Sequence, residues 1–519
     1  MNTTADAPRS EDTESPPFEA LEPWDEHNRK LAANVHPLDW SNPTPADRYH
    51  LVVVGAGTAG LVTAAIAVAL GARVALVERK LMGGDCLNVG CVPSKAVLAA
   101  ARAWRSAVGA GRLAGPAAAG EGDFGAVMER MRRLRSEISE HDSAARFSTL
   151  GADVFFGQAS FIGSDTIRVG DSALRFRRAV IATGTTAAVP PIEGLVEAGY
   201  LTNETVFSLT ALPPRLAVIG GGAIGCELAQ AFAAFGSRVT VLEGEARILG
   251  ADDPDAAALV ARSLQNDGVD IVTGAKVRSV TRTHATRTLR WEAGGERHEL
   301  ECDEVLVGVG RSPNVEGLGL ETVGVRSDGR EGVEVDDRLQ TSNSSIYAIG
   351  DVAGPARFTH VADAHARLVV RNALFYGRGK VSDLVIPWCT YTSPELAHVG
   401  LRHDEVVERG ADVDSITVPF SSVDRAILDG EEEGFLRVHL ARGSDRILGA
   451  TIVGEEAGEL ISQITQAMVA GVGLGKLSAT IFPYPTRAEI IRKAADAWGR
   501  QRLTPTARKV FGLFFRATA

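Results

Sequence analysis

One pattern occurs twice in this chain and constrains its fold more than any other. Leu51-Val-Val-Val54 is an apolar run that predicts a buried parallel strand, and Gly55-Ala-Gly-Thr-Ala-Gly60 turns it into an apolar helix, Leu61 to Leu70. A second strand, Arg73 to Val77, then ends on Glu78. The unit recurs as Leu216-Ala-Val-Ile219, Gly220-Gly-Gly-Ala-Ile-Gly225, a helix to Phe235, and a strand from Arg238 to Leu242 ending on Glu243. In both copies the acid follows the first glycine by 23 residues. A single GxGxxG is weak evidence, because glycine-rich turns are common. Two copies, each with strand, turn, helix, strand and terminal acid in the same spacing, read as two βαβ dinucleotide-binding units. Gly55, Gly57 and Gly60, and Gly220, Gly222 and Gly225 after them, allow the backbone to approach a pyrophosphate that the helix N-terminus stabilises. Glu78 and Glu243 stand where each can accept hydrogen bonds from a ribose diol.

At 519 residues the chain is too long for one core, and three or four domains are expected. Residues 1–47 are rich in Pro, Glu, Asp and Thr and predict a partly disordered extension. A first dinucleotide unit is expected over 48–190, including a helical stretch from about Phe124 to Leu150 and the strand-like Ala179-Val-Ile-Ala-Thr-Gly184. The second unit is expected over 191–310, closing with a meander to Gly308-Val-Gly-Arg-Ser-Pro-Asn314, and a central segment over 311–382. From Ile386 strands alternate with helices (Gly458 to Gly471, Arg487 to Arg500) in a way that predicts a separate α+β domain over 383–500. The fold class is therefore α/β, with two Rossmann-like units and a C-terminal α+β domain. The tail over 501–519 is basic and aromatic; it reads as docking on its own protein or a second subunit, with a membrane surface as the alternative.

The net charge of −11 argues against nucleic acid or an anionic membrane as a partner. No apolar run reaches the roughly 18–20 residues that span a bilayer, and Met1 to Pro17 is polar and acidic rather than signal-like. A cytoplasmic protein is expected. Five cysteines in a chain of this size make no disulfide scaffold. In a reducing compartment a close pair points to redox catalysis or metal binding instead.

That pair lies in Gly83-Gly-Asp-Cys86-Leu-Asn-Val-Gly-Cys91-Val-Pro-Ser-Lys95. Four intervening residues suit neither a zinc knuckle nor a thioredoxin-type CxxC, and no metal site is expected. The two sulfurs can instead form a disulfide that opens and closes. Only a thiolate is nucleophilic, so such a pair needs a positive setting, which a helix N-terminus and Lys95 can supply. Cys226, Cys302 and Cys389 lack the spacing and read as buried small hydrophobes.

The segment Gly83 to Lys95, the two fingerprints, Ala182-Thr-Gly184 and Ser344-Ser-Ile-Tyr-Ala-Ile-Gly350-Asp351 together resemble the class I pyridine nucleotide–disulfide oxidoreductases, over about residues 48–500. That family includes dihydrolipoamide dehydrogenase, glutathione reductase and mercuric reductase. The resemblance implies FAD on the first unit, held by Gly55, Gly57, Gly60, Glu78, Gly84, Thr183, Gly184 and Asp351. It implies NAD(P)H on the second, held by Gly220, Gly222, Gly225, Glu243 and Gly310, with NADH favoured because Glu243 would repel a 2′-phosphate; Arg247 is the complication. It further implies a homodimer whose C-terminal domain carries the dimer contact. Cys91 would be the flavin-proximal sulfur and Cys86 the interchange sulfur. Lys95 would pair with Glu227 near the flavin. The helix begun by Phe358-Thr-His360 and containing His365 points at the flavin ring in this family, and both histidines read as packing residues rather than catalysts.

The sequence departs from its relatives where disulfide reductases carry a His-Pro-Thr segment followed by Glu. Here Phe482-Pro-Tyr484-Pro-Thr-Arg-Ala-Glu489 keeps Glu489 and puts Tyr484 in the histidine's place. Tyrosine titrates near pH 10 and is a poor base at neutral pH, so thiol–disulfide turnover is expected to be slow. A tyrosine here resembles the mercuric reductase branch. The N-terminal CxxC metal-binding domain and the C-terminal vicinal cysteines of that branch have no counterpart in this sequence, which argues against mercuric ion as a dedicated substrate. The expected activity is electron transfer from NAD(P)H through FAD to Cys86/Cys91 and on to a soft metal ion, a quinone or a small disulfide. The alternatives are a flavoprotein component of a lipoyl-dependent complex, and a non-enzymatic redox switch.

Overall fold

The computed structural model describes residues 18–518. The first Rossmann-like sheet has a parallel centre in the order Ala152–Phe156, Val74–Glu78, Tyr49–Val54, Ser172–Ile181. Ile346–Ala348 also pairs in parallel with the last of these, so a strand 165 positions downstream closes the first unit. Val52, Val53 and Leu76 are fully buried, as the unbroken apolar runs require of strands covered on both faces. The helices Thr58–Ala69 and Thr359–Phe375 pack together on one of those faces.

The second copy repeats the geometry in a four-stranded parallel sheet, Val269–Val272, Arg238–Leu242, Arg215–Ile219, Glu304–Val307. The antiparallel meander Lys276–Thr283, Thr286–Ala293, Glu296–Cys302 is inserted in the chain before the last strand of that sheet. The duplication extends to backbone detail. Gly55 and Gly220 have φ of +104° and +106°, a conformation that side-chain-bearing residues resist. A Cβ on Gly60 would strike the carbonyl oxygen of Gly55, and a Cβ on Gly225 that of Gly220, so in each copy the third glycine lets the helix lie against the turn.

The C-terminal unit is a five-stranded antiparallel sheet, Pro387–Thr390, Glu395–Gly400, Ile447–Gly454, Phe435–Ala441, Val413–Pro419. The helices Ala457–Val469 and Glu489–Gln501 cover it, burying Ile464, Ile490 and Ala494. On the same sheet Arg437 reaches Asp253 of the second unit at 2.6 Å and Asp255 at 2.8 Å, tying the two together.

Three sequence expectations change. Of the extension expected to be partly disordered, residues 1–17 lie outside the described residues, but from Phe18 the chain is packed. Asp25 caps the helix Glu26–Val35 by accepting from Asn28 N at 2.9 Å, and Leu31 and Val35 are fully buried in the core of the first unit. Pro and Asp in this segment serve as turn and cap rather than as disorder signals. The helical stretch Phe124 to Leu150 is broken into Phe124–Ile138 and Ala144–Leu150, because Ser143 starts a new helix by accepting from Arg146 N. Cys226 and Cys302 are buried as expected, whereas Cys389 is half-buried and lines the principal cavity. Among the described residues no helix is long and apolar enough to cross a membrane.

Candidate active site

A cavity of about 1000 Å³ runs through the first unit to the second. It is lined by Gly55, Gly57 and Glu78 of the first fingerprint, by Gly84, Thr183, Gly184 and Asp351, and by Cys86, Cys91, Lys95 and Glu227. Its walls fit a flavin dinucleotide. Gly57 and Gly84 present bare backbone to one another, and a Cβ on Gly84 would come 2.7 Å from the Gly57 Cα. Gly60 lies behind this lining, against the Gly55 carbonyl.

The two terminal glutamates have matching partners. Glu78 accepts from the amides of Ala56 and Lys80, both at 2.8 Å, and Glu243 from those of Gly221 at 2.6 Å and Glu245 at 2.7 Å. Burial raises the Glu78 carboxyl above its ordinary pKa, against the pull of the amides. Asp351 is likewise raised by burial, while Arg311 and the Thr185 hydroxyl, which donates to it at 3.2 Å, act the other way. Thr183 is fixed by reciprocal bonds with Asn314, its hydroxyl donating to the Asn314 carbonyl at 2.7 Å. Gly310 takes a φ of +129° where the chain leaves the second unit.

Cys91 is the first residue of the 19-residue helix Cys91–Gly109, and Cys86 sits in the short helix Gly84–Asn88. A second helix, Thr359–Phe375, also begins here, and the Thr359 hydroxyl lies 3.5 Å from the Cys91 sulfur. Two helix N-termini thus converge on one sulfur, each favouring negative charge. The Cys86 thiol donates to Cys91, which holds Cys91 below the ordinary thiol pKa and Cys86 above it; Thr359 and Lys95 add to the effect at Cys91. The proton of the pair therefore resides on Cys86 and the charge on Cys91.

Lys95 is on the same helix as Cys91, one turn on. Its Nζ donates to Glu227 Oε2 at 2.8 Å and lies 4.5 Å from the centre of the Tyr391 ring. Glu227 is buried, and its other oxygen accepts from Tyr391 N at 2.8 Å. His360 contacts the Pro387 carbonyl at 2.7 Å. His365 is buried, its pKa lowered by desolvation, and its Nδ1 accepts from Gly350 N at 3.3 Å. Sequence reasoning passed over Thr359, although it stands beside the histidines that drew attention to that segment. It also passed over Arg311, which pairs with Asp85 and donates to Thr185 Oγ1 at 2.6 Å. Tyr391 carries no motif that would have marked it.

Tyr484 and Glu489 are not brought to this cavity. Tyr484 is 71% exposed on the C-terminal unit, and its hydroxyl donates to Asp424 Oδ2 at 2.8 Å, which raises its pKa further. Glu489 is buried at the start of its helix and pairs with Arg492.

Residues 49–367 match the family model described as pyridine nucleotide-disulphide oxidoreductase, and residues 386–495 match the dimerisation domain of the same family. The chain is similar to a mercuric reductase of Staphylococcus aureus, at 35% identity over 447 residues covering 86% of this chain and 82% of that one. It is equally similar to a dihydrolipoyl dehydrogenase of Thermus scotoductus, at 35% identity over 473 residues covering 88% and 98%. Among solved structures it is similar to the HOCl-induced flavoprotein disulfide reductase RclA of Escherichia coli, at 29% identity with a TM-score of 0.76 over 86% of this chain and 99% of that one. It is also similar to the Cu(II) complex of that protein, with a TM-score of 0.77 over 87% and 100%.

Proposed function

The chain belongs to the pyridine nucleotide–disulphide oxidoreductases, and from that membership we propose that it oxidises NADH and passes the electrons through Cys91 and Cys86 to a soft metal ion or a quinone. FAD and NAD(P)H are the cofactors of this family and of this enzyme. Bound in the principal cavity, FAD supplies the two-electron relay between the pyridine nucleotide and the dithiol. The observation that carries the reading is the polarised thiol pair: a proton on Cys86, a charge on Cys91 and two helix N-termini around that charge.

Gly55, Gly57, Gly60 and Gly84 give FAD its backbone cradle, Glu78 takes the ribose, and Thr183, Gly184 and Asp351 line the far side. Gly220, Gly222, Gly225 and Gly310 do the same for the pyridine nucleotide. Glu243 selects NADH: both its oxygens accept backbone N–H groups, which holds the carboxylate at the strand end. The Arg247 guanidinium, a possible phosphate ligand, is spent on the carbonyls of Gly250 at 2.6 Å and Asp252 at 3.0 Å. Glu227 holds the Lys95 ammonium in place, and Lys95 supplies positive charge beside Cys91. Cys86, the protonated sulfur, meets the acceptor; when the pair closes to a disulfide, two electrons pass to the acceptor and the one proton on Cys86 is released.

Tyr484 and Glu489 serve a second copy of the chain, since they stand outside the cavity of their own. This makes the enzyme a homodimer, with the divisions 48–190, 191–310, 311–382 and 383–500 as its FAD, NAD(P), central and dimerisation domains. With Tyr484 in place of a neutral-pH base, exchange with dithiols and disulfides is slow, whereas a soft metal ion or quinone needs no protonated leaving thiolate. The Cu(II) complex of the Escherichia coli relative supports the metal arm of this reading.

The test is steady-state NADH oxidation by the purified holoenzyme with Hg(II), Cu(II), a water-soluble quinone, oxidised glutathione and lipoamide as acceptors, with dihydrolipoamide run in the reverse direction. Metal ions or the quinone turn over fastest. Dihydrolipoamide oxidation at tens per second, an ordinary enzymatic rate, refutes the argument from Tyr484.

A further inference from the structure

The helix Pro505–Thr518 follows the C-terminal unit, and all of its side chains except the half-buried Ala507 are exposed. Its apolar side chains are large: Val510, Phe511, Leu513, Phe514 and Phe515 are between 48% and 65% exposed. At 3.6 residues per turn these five lie within an arc of about 200°, while Arg508, Lys509 and Arg516 fall within about 100° on the other side. Arg500 and Arg502 lie just before the helix. Residues 497–519 carry five basic side chains and no acidic one, in a chain of net charge −11.

We propose that this helix is a docking element for an anionic lipid surface. The chemistry selects that occupant. A helix seated in a protein groove hides its apolar side and leaves its polar side in water, where mixed charge serves best. Here the polar side is cationic throughout, and both sides are used together only at a membrane interface. There phenylalanine and leucine enter the acyl boundary, and lysine and arginine meet the phosphates. The 14-residue helix is too short to span a bilayer, so it lies in the plane of the surface. The rest of the chain carries the negative charge, and physiological salt screens its repulsion from such a surface over roughly 8 Å. The inference does not depend on the acceptor proposed above.

The experiment is co-sedimentation of the full-length holoenzyme with phosphatidylcholine vesicles, with and without about one third phosphatidylglycerol. At 0.1 M salt the anionic vesicles bind at least tenfold more tightly than the neutral ones, and 0.5 M salt weakens binding. The exposed substitutions Phe511→Glu and Phe514→Glu together abolish binding while NADH oxidation with a soluble acceptor is unchanged. Hydrogen exchange over 505–518 is fast in buffer and slows on the vesicles. Equal binding to neutral vesicles, binding retained by the double variant, or a tail already protected in buffer, as a second copy covering it would make it, each overturns the proposal.

Discussion

The guanidinium of Arg135 is fully buried, and burial lowers its pKa to about 10. It joins two regions of the chain. Nη1 donates to the carbonyl of Asn88 at 2.6 Å, between the two redox cysteines, and Nη2 donates to Asn28 Oδ1 at 2.7 Å in the N-terminal helix. Asn28 is also fully buried and donates to the carbonyls of Leu21 at 2.9 Å and Pro23 at 2.8 Å. Asn28→Leu keeps the branched shape and heavy-atom count and removes all three bonds. One of them serves a buried charge, and the lost partners leave carbonyls desolvated, so the cost is about 3–5 kcal/mol. In a multidomain chain that cost appears as local opening of residues 18–36 rather than global unfolding. Amide exchange there, read by mass spectrometry, accelerates by roughly 10²- to 10⁴-fold. The segment around Asn88 also exchanges faster, because it has lost the anchored partner of its own carbonyl. Asn34→Ala is the control: on the same helix it loses a single half-buried bond to Ser139, worth about 1 kcal/mol or less. Equal exchange in the two variants would refute the claim that the N-terminal segment is anchored through Arg135.

Four further outcomes are expected. Cys91→Ser removes the long-wavelength absorbance of the two-electron-reduced holoenzyme, whereas Cys86→Ser shows it without reductant; identical behaviour of the two variants would reverse or cancel the assigned roles. Lys95→Met strands the buried Glu227 carboxylate and destabilises by about 1–3 kcal/mol, the range reduced because Lys95 is partly exposed; adding Glu227→Gln recovers part of the loss, and strict additivity would sink the coupling. Glu243→Ala narrows the NADH preference measured as a ratio of kcat/KM, and a wild-type preference for NADPH would overturn the selectivity argument. His398 and His439 are buried, with desolvation lowering each to about 4 from the ordinary value near 6.5. The unfolded chain therefore binds protons that the fold does not, and stability present above pH 6.5 is lost as pH falls toward 4, by a few kcal/mol; His439→Gln flattens the urea midpoint across that window, and an unchanged slope argues against burial as the cause.

Much of this was legible in the sequence because it rests on spacing. The two fingerprints reappear in the fold with φ values two degrees apart, since only glycine permits that turn. Lys95 and Glu227 are separated by 132 residues, and the resemblance to a family, not periodicity, pairs them in advance of the structure. What stayed hidden depends on tertiary contact. The N-terminal segment reads as polar and proline-rich, yet a buried Asn–Arg pair and the side chains of Leu31 and Val35 fix it. Cys389 reads as a core residue because nothing local shows that its strand borders the cavity. Thr359 was hidden by its neighbours: histidine attracts a chemical reading, while a hydroxyl at a helix start reads first as a cap.

The two copies of one motif also differ in a way that sorts their ligands. In the first, Gly55, Gly57 and Thr58 are half-buried, Glu78 is buried, and Phe18 from the N-terminal segment reaches the cavity wall beside Lys80. In the second, Gly222, Ala223 and Ile224 are exposed, and Glu243 is only half-buried. Identical backbone turns give similar phosphate contacts, so the intrinsic contacts alone would not separate a retained dinucleotide from one that must leave each cycle. The cover does. On the proposed assignment, the cover that Phe18 and Ala20 add to the cavity slows departure from the first site and leaves the second open to exchange, the division of labour expected of a resident flavin and a consumed pyridine nucleotide. The Arg135–Asn28 anchor is then a determinant of flavin retention: Asn28→Leu, by freeing the cover, raises the rate of FAD loss measured by fluorescence without altering the binding of NADH. An FAD dissociation rate equal to wild type in that variant would show that the sheet and the glycine cradle retain the flavin unaided.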